Sequence, residues 1–85
     1  MVKYEDLTVG DVLKGTVRNV VDFGAFVDIG MKSDALLHIS KMDPEGKFVK
    51  NPYAVVKVGQ VVNVRVDRLE ADRGRVSLAL VSKED

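Results

Sequence analysis

The chain has 85 residues, thirteen basic and thirteen acidic, with no cysteine and one histidine. That length suits one domain, residues 1–85 with an ordered core over about 7–81, and a thin core, because so small a fold buries only about 60 to 65% of the surface its unfolded chain exposes. Without cysteine there is no disulfide framework or thiolate metal site, a lone histidine argues against zinc or haem, and the balanced charge argues against a bulk electrostatic polyanion binder. In chain order, Leu7 to Asp11 reads as a turn into a first strand, Val12 to Val20, where Leu13, Gly15 and Val17 alternate with Lys14, Thr16 and Arg18. Asn19 to Asp22 breaks the alternation. A second strand, Gly24 to Ile29, ends at a turn over Gly30 to Asp34, and a short third strand runs from Ala35 to Ile39 with His38 opposite in parity to Leu37 and Ile39.

From Ser40 to Val58 the period of two disappears, and Asp43-Pro44-Glu45-Gly46 marks a loop carrying Lys41, Lys47 and Lys50, read as solvated charges. Asn51 is a good N-cap and Pro52 suits the first helical position, so a short helix over Pro52 to Lys57 is predicted, with Tyr53 packing it. A fourth strand follows. Val62, Val64 and Val66 point inward, Asn63, Arg65 and Asp67 outward, and a parity change before Leu69 implies a bulge. After a turn at Ala71 to Gly74, a fifth strand, Arg75 to Leu80, buries Val76, Leu78 and Leu80, turns Arg75, Ser77 and Ala79 outward, and leaves Val81 to Asp85 frayed. The fold class is therefore all-β: a five-stranded antiparallel Greek-key barrel, the OB-fold, with a short helix between strands three and four. Closure buries one apolar face per strand and removes exposed edges.

The run Phe23 to Ile29 carries the functional signal. Its period of two sends Ala25, Val27 and Ile29 to one face and Phe26 to the other, so a large ring shares the polar face with Asp28, and a second ring, Phe23, stands at the strand's entrance. Two outward rings suggest a stacking surface. Gly24 is read as open space between the rings that lets another group approach the backbone. Charge is uneven along the chain: residues 41–75 hold eight basic side chains against five acidic ones, whereas residues 1–13 are net negative. A polyanion should meet the second half.

Gly15-Thr16-Val17, Phe23-Gly24-Ala25-Phe26-Val27, Leu36-Leu37-His38-Ile39-Ser40, Val58-Gly59-Gln60-Val61-Val62 and Arg75-Val76-Ser77-Leu78 resemble, in order and spacing, the S1-type RNA-binding domain of ribosomal protein S1. Phe48-Val49-Lys50-Asn51-Pro52 followed by Val55 to Gly59 is more specifically similar to the copy in Tex-type transcription accessory proteins. The resemblance implies a site on one barrel face made of Phe23, Phe26, His38, Glu70 and Arg75. Glu70 stands where many relatives have aspartate, and a variable spacing from that acid to the arginine leaves Arg73 as an alternative to Arg75.

These residue types suit single-stranded nucleic acid. A base stacked on Phe or His contributes about 1 to 3 kcal/mol with little dependence on its identity, and Arg75, with Arg18 on the outward face of strand one, can hold phosphate by forked charge-assisted hydrogen bonds. His38 can stack or donate to phosphate, so affinity should rise modestly on acidification. Each has a bland counterpart: Phe26 as a strand former, Phe23 as a barrel plug, His38 as a cross-sheet hydrogen bonder, and Glu70 with Arg75 as an exposed ion pair worth about 0 to 1 kcal/mol. An enzyme is the weakest reading, because Ser40 and His38 share a strand face without a third triad member and no phosphate-binding glycine loop is present. Interleaved Arg68 and Arg73 disfavour a metal site at Asp67, Glu70 and Asp72, and no cofactor is expected.

The expected function is thus single-stranded RNA binding, with single-stranded DNA as a further ligand, by a monomeric module of a larger parent protein or of the transcription or ribosomal machinery. A protein-docking module using the same face is the alternative. No apolar run approaches the ~20 residues that span a bilayer, and the first residues lack a signal peptide's apolar core, so a cytoplasmic chain without membrane association is expected.

Overall fold

The computed structural model describes residues 1–84. Its strands are β1 (Val12–Val21), β2 (Gly24–Asp28), β3 (Ala35–His38), β4 (Val61–Glu70) and β5 (Arg75–Lys83), with one short helix, α1 (Pro52–Val55), and single 3-10 turns at Tyr4–Asp6 and Ile39–Lys41. They form a closed barrel in the order β1-β2-β3-β5-β4. Four of its pairings are antiparallel. The β3–β5 pairing is parallel, with Leu36 opposite Ser77 and Leu37 opposite Leu78, because the chain crosses the barrel end through α1 before β4 and β5 form their hairpin. Among the described residues no helix is long and apolar enough to cross a membrane.

Strand alternation builds the interior. Val17, Ala25, Val27, Leu37, Val62, Val64, Val66 and Leu78 are each at most 1% exposed, and no polar side chain joins them. Such β-branched and aliphatic residues fit a pleated surface buried on one side. Asn51 caps α1 as its residue type suggests, its carboxamide oxygen accepting from the Tyr53 N–H at 3.0 Å, and Pro52 follows in the first turn.

Three bulges set which residues face outward. In β1 the register steps from Val17↔Val27 to Asn19↔Phe26, so Arg18 is the inserted residue, and the strand runs to Val21, one residue past the expected Val20. In β4, Val66 pairs with Leu78 and Arg68 with Ser77, which places the anticipated parity change at Asp67. The third lies in β5, where Asn63 pairs with Ser82 but Val64 with Leu80, making Val81 the extra residue.

That last bulge corrects the predicted end of the chain's order. Beyond Val81 the ladder resumes with Ser82 and Lys83, the Glu84 N–H donates to the Val61 carbonyl at 3.0 Å, and Lys83 Nζ donates to the Val55 carbonyl at 3.0 Å. Residues 82–84 are therefore paired. The part of the frayed-tail expectation that falls on Asp85 lies outside the described residues. Ala79, expected outward, is only 7% exposed, although it is not part of the core cluster. It pairs with Arg65 beside the bulge, where a methyl group is small enough to be covered by its neighbours.

Candidate nucleic-acid interface

Pairing places the site's side chains on adjacent strands. Phe26 lies opposite Leu36, which lies opposite Ser77, which lies opposite Arg68, a row running across β2, β3, β5 and β4 on the outer wall. Gly24 pairs with His38 and Glu70 with Arg75. Phe23 is 50% exposed and Phe26 partly so, and their rings meet edge to face with centroids 6.1 Å apart and planes at 89°. Neither belongs to the core cluster.

Gly24 does not open space between the rings. A Cβ there would lie 2.2 Å from the Leu37 carbonyl oxygen and 3.0 Å from His38 Cα, at a φ of +152° that L side chains rarely adopt. The close approach is made by β3's own backbone. The Ile39 N–H then donates to the Phe23 carbonyl at 2.8 Å, so this crossing is what brings His38 beside Phe23.

Next to the rings runs a groove of about 270 Å³ lined by Leu36, His38, Ser40, Lys41, Asp67, Arg68, Glu70, Arg75, Ser77 and Leu78. His38 closes one end with its ring fixed. Its Nδ1 accepts the Ser40 N–H at 3.1 Å and lies 2.9 Å from Ser40 Oγ, so the proton of a neutral imidazole belongs on Nε2, which can donate outward. Ser40 itself lies in the 3-10 turn after β3 and not on a strand face, and its hydroxyl is occupied in bracing the ring. At the other end Glu70 sits between Arg68, whose guanidinium reaches Oε1 at 3.3 Å, and Arg75, whose Nε stands 3.8 Å from Oε2. That second contact is too long for a hydrogen bond, and Oε2 has no hydrogen-bond partner. Lys41 extends over the groove toward Asp67 at 3.9 Å, so it is not the detached loop charge its sequence position suggested. Cations thus face both carboxylates that line the groove.

His38, Glu70 and Arg75 therefore line one groove, with Phe26 and Phe23 along its margin. Arg75, not Arg73, lines it; Arg73 lies in the β4–β5 turn, its N–H donating to the Glu70 carbonyl at 3.1 Å. Arg18 stands beyond the rings, 3.6 Å from Asp28, on the β1 bulge next to Asn19 and Phe26. Arg68 and Lys41 are groove residues that alternation alone misses. The parity change at Asp67 was the available signal for Arg68, because an inserted residue turns the next side chain outward. Tyr53 packs differently from the expectation that it serves the helix. It is 52% exposed, and its hydroxyl donates to Asp22 Oδ1 at 3.0 Å, tying α1 to the turn that presents Phe23. That hydrogen bond, then burial and the Asp22 charge, push the Tyr53 phenol above its ordinary pKa of 10.0.

A family model described as the S1 RNA binding domain matches residues 6–80. The chain belongs to that family. It is 57% identical over 81 residues to the uncharacterized protein YdcI of Bacillus subtilis, covering 95% of this chain and 11% of the relative. It is 51% identical over 75 residues to the transcriptional accessory protein Tex of Neisseria gonorrhoeae, covering 88% and 10%, and 42% identical over 81 residues to the small ribosomal subunit protein bS1 of Streptococcus pneumoniae, covering 95% and 20%. Higher identity to Tex than to this bS1 agrees with the Phe48 to Pro52 phrase. A chain in the crystal structure of the a/eIF2alpha–aDim2p–rRNA complex from Pyrococcus horikoshii OT3 superposes with a TM-score of 0.78 at 28% identity, over 87% of this chain and 44% of that one. The chain spans only about a tenth of the length of YdcI and Tex.

Proposed function

We propose that this S1 domain binds single-stranded RNA, stacking bases on Phe23, Phe26 and His38 and holding phosphates with Arg68, Arg75 and Lys41, with Arg18 as an outlying contact. The observation that carries the reading is the edge-to-face pair of exposed rings bordering a groove lined with cations. A soluble strand that places a benzyl group on its outer face beside a histidine and two arginines has assembled the parts that base stacking and backbone capture require. Glu70 acts as a positioning residue, holding the two guanidiniums over the groove. The resemblance to Tex, and the rRNA complex in which a structural neighbour occurs, support a role for the module within a larger cytoplasmic protein of transcription or translation.

The test is a titration of fluorescein-labelled single-stranded RNA, duplex RNA and single-stranded DNA, measured by anisotropy. Single-stranded RNA is expected to bind with the highest affinity and duplex RNA with the lowest, because paired bases hide the faces that the rings would stack on. Failure of all three, with a protein retained on the same face in pull-downs that Phe26→Ala abolishes, would replace this reading with protein docking.

A further inference from the structure

Among the described residues, the most exposed large hydrophobic side chain outside the N-terminus belongs to neither the core nor the groove. Phe48, 89% exposed, stands on the loop between the 3-10 turn at Ile39–Lys41 and α1. That loop is closed on itself. Asp43 Oδ2 accepts the N–H groups of Glu45 and Lys47 at 2.9 and 3.0 Å, and the Gly46 N–H donates to the Asp43 carbonyl at 2.9 Å, with Gly46 at a φ of +76°. The ring is thereby presented by a braced turn.

Beneath it lies a second hollow of about 300 Å³, lined by Ile39, Ser40, Gly46, Lys47, Phe48 and Val49. Ser40 is a wall of both hollows, and Ile39 is bonded through its N–H to the Phe23 carbonyl. The loop hollow therefore begins where the Phe23–His38 end of the groove stops. Lys47 flanks the ring, held only by an ion pair to Glu45 at 3.2 Å whose partners are both about three-quarters exposed, an attachment that a phosphate displaces at little cost. Lys50, two residues past the ring, has no ion-pair partner among the described residues.

Resting on the reading above, we infer that Phe48 is a further stacking subsite, which extends the path of a single strand from the groove past Ser40 onto the loop, with Lys47 and Lys50 meeting the phosphates that flank the stacked base. The occupant is a nucleobase of the strand already held by Phe23 and Phe26. An apolar ring next to one loosely paired and one unpaired lysine, and continuous with a cationic groove, matches the alternating apolar and anionic character of such a strand. A purely apolar protein partner would leave both lysines unused.

The chain has no tryptophan, so Phe48→Trp creates a single indole reporter on the loop. Its fluorescence should be quenched on saturation with dodecauridylate. In parallel, Phe48→Ala, which removes a ring with almost no packing and should melt as the wild type does, is titrated with tetrauridylate and dodecauridylate. The ratio of mutant to wild-type Kd cancels the statistical gain from extra binding registers. It should be near one for the tetramer, which the groove alone accommodates, and roughly fivefold or more for the dodecamer, the low end of one base–aromatic stack. An unchanged dodecamer Kd with an unquenched indole overturns the subsite while wild-type binding and its sensitivity to Phe26 persist. If the wild type binds neither oligonucleotide, the reading on which the subsite rests has failed instead.

Discussion

Replacing Phe26 with leucine separates stacking from everything else that the ring does. Leucine keeps an apolar side chain opposite Leu36 on the outer wall, so the stability cost should stay below about 1.5 kcal/mol. For a domain this size that lowers Tm by no more than roughly 12 °C and leaves the protein folded at 25 °C. Binding should fall much further. Losing one base–ring stack, about 1 to 3 kcal/mol, raises Kd roughly fivefold to 150-fold. The charges in the groove are untouched: Lys41, Arg68 and Arg75 still neutralise phosphate, each contributing about 0.7 to the slope of log K against log salt, or about −2 together. Anisotropy titrations of single-stranded RNA over a salt series should therefore give parallel lines for wild type and Phe26→Leu, displaced in intercept alone. The 6.1 Å edge-to-face contact adds a second signature. Each single substitution also deprives the remaining ring of its partner, so Phe23→Leu with Phe26→Leu should lose less than the sum of the two singles, by about 0.5 to 1.5 kcal/mol. A Phe26→Leu Kd within twofold of wild type, or a loss accompanied by a changed slope, would refute the stacking assignment.

Arg75→Gln should do the reverse, flattening the salt slope by about 0.7 while leaving the affinity difference among homopolymers intact, as the same titrations read out. Gly24→Ala should abolish cooperative folding, because its Cβ meets backbone at 2.2 and 3.0 Å, whereas Gly59→Ala, also at a positive φ (+91°) but with nothing within 4 Å, should melt within about 10 °C of wild type. Similar melting curves for the two would contradict the proposed crossing of β2 and β3. Deleting residues 82–85 removes the Asn63–Ser82 hydrogen bond, the Lys83–Val55 bond and the Lys14–Glu84 pair, and should lower Tm by at least about 8 °C, where a frayed tail would change nothing. In a Tyr4→Phe background, the phenolate absorbance of Tyr53 should titrate at lower pH once Asp22→Asn removes the carboxylate that raises its pKa. Because the folded pKa lies above the unfolded one, the stability this bond adds is complete below the ordinary tyrosine pKa and disappears as pH rises through the folded value.

Strand alternation made most of the barrel legible, since Val62, Val64 and Val66 or Ala25 and Val27 can be placed inside by parity alone. What parity could not carry was its own interruption. At Arg18, Asp67 and Val81 an inserted residue changes which side chains face outward, and the second and third of these account for the missed Arg68 and the misplaced end of β5. The parallel β3–β5 contact also left no mark in the sequence, because it joins segments separated by some forty residues of loop, helix and hairpin. Gly24 was singled out for its lack of a side chain, but only backbone coordinates distinguish space kept for a ligand from space filled by a neighbouring strand. The two phenylalanines were readable because an outward ring violates the ordinary polarity of a strand's exposed face.

On the proposed reading, charge in this groove favours selectivity of form over strength of attraction. Lys41 faces Asp67, and Arg68 and Arg75 share Glu70, so three cations against two carboxylates leave one net positive charge. Exposed pairs of this kind are worth about 0 to 1 kcal/mol, little enough for a phosphate to compete, yet the carboxylates deny duplex and bulk polyanion the field that a bare arginine cluster would offer. What remains to discriminate is access to the base faces, which only an unpaired strand provides to Phe23, Phe26 and His38. On the same reading, a single domain is expected to bind with modest affinity. Were the domain carried in a chain about ten times this length, as YdcI and Tex are, a second site on the same strand would meet it at an effective concentration in the millimolar range, which converts a weak, sequence-tolerant contact into a persistent one.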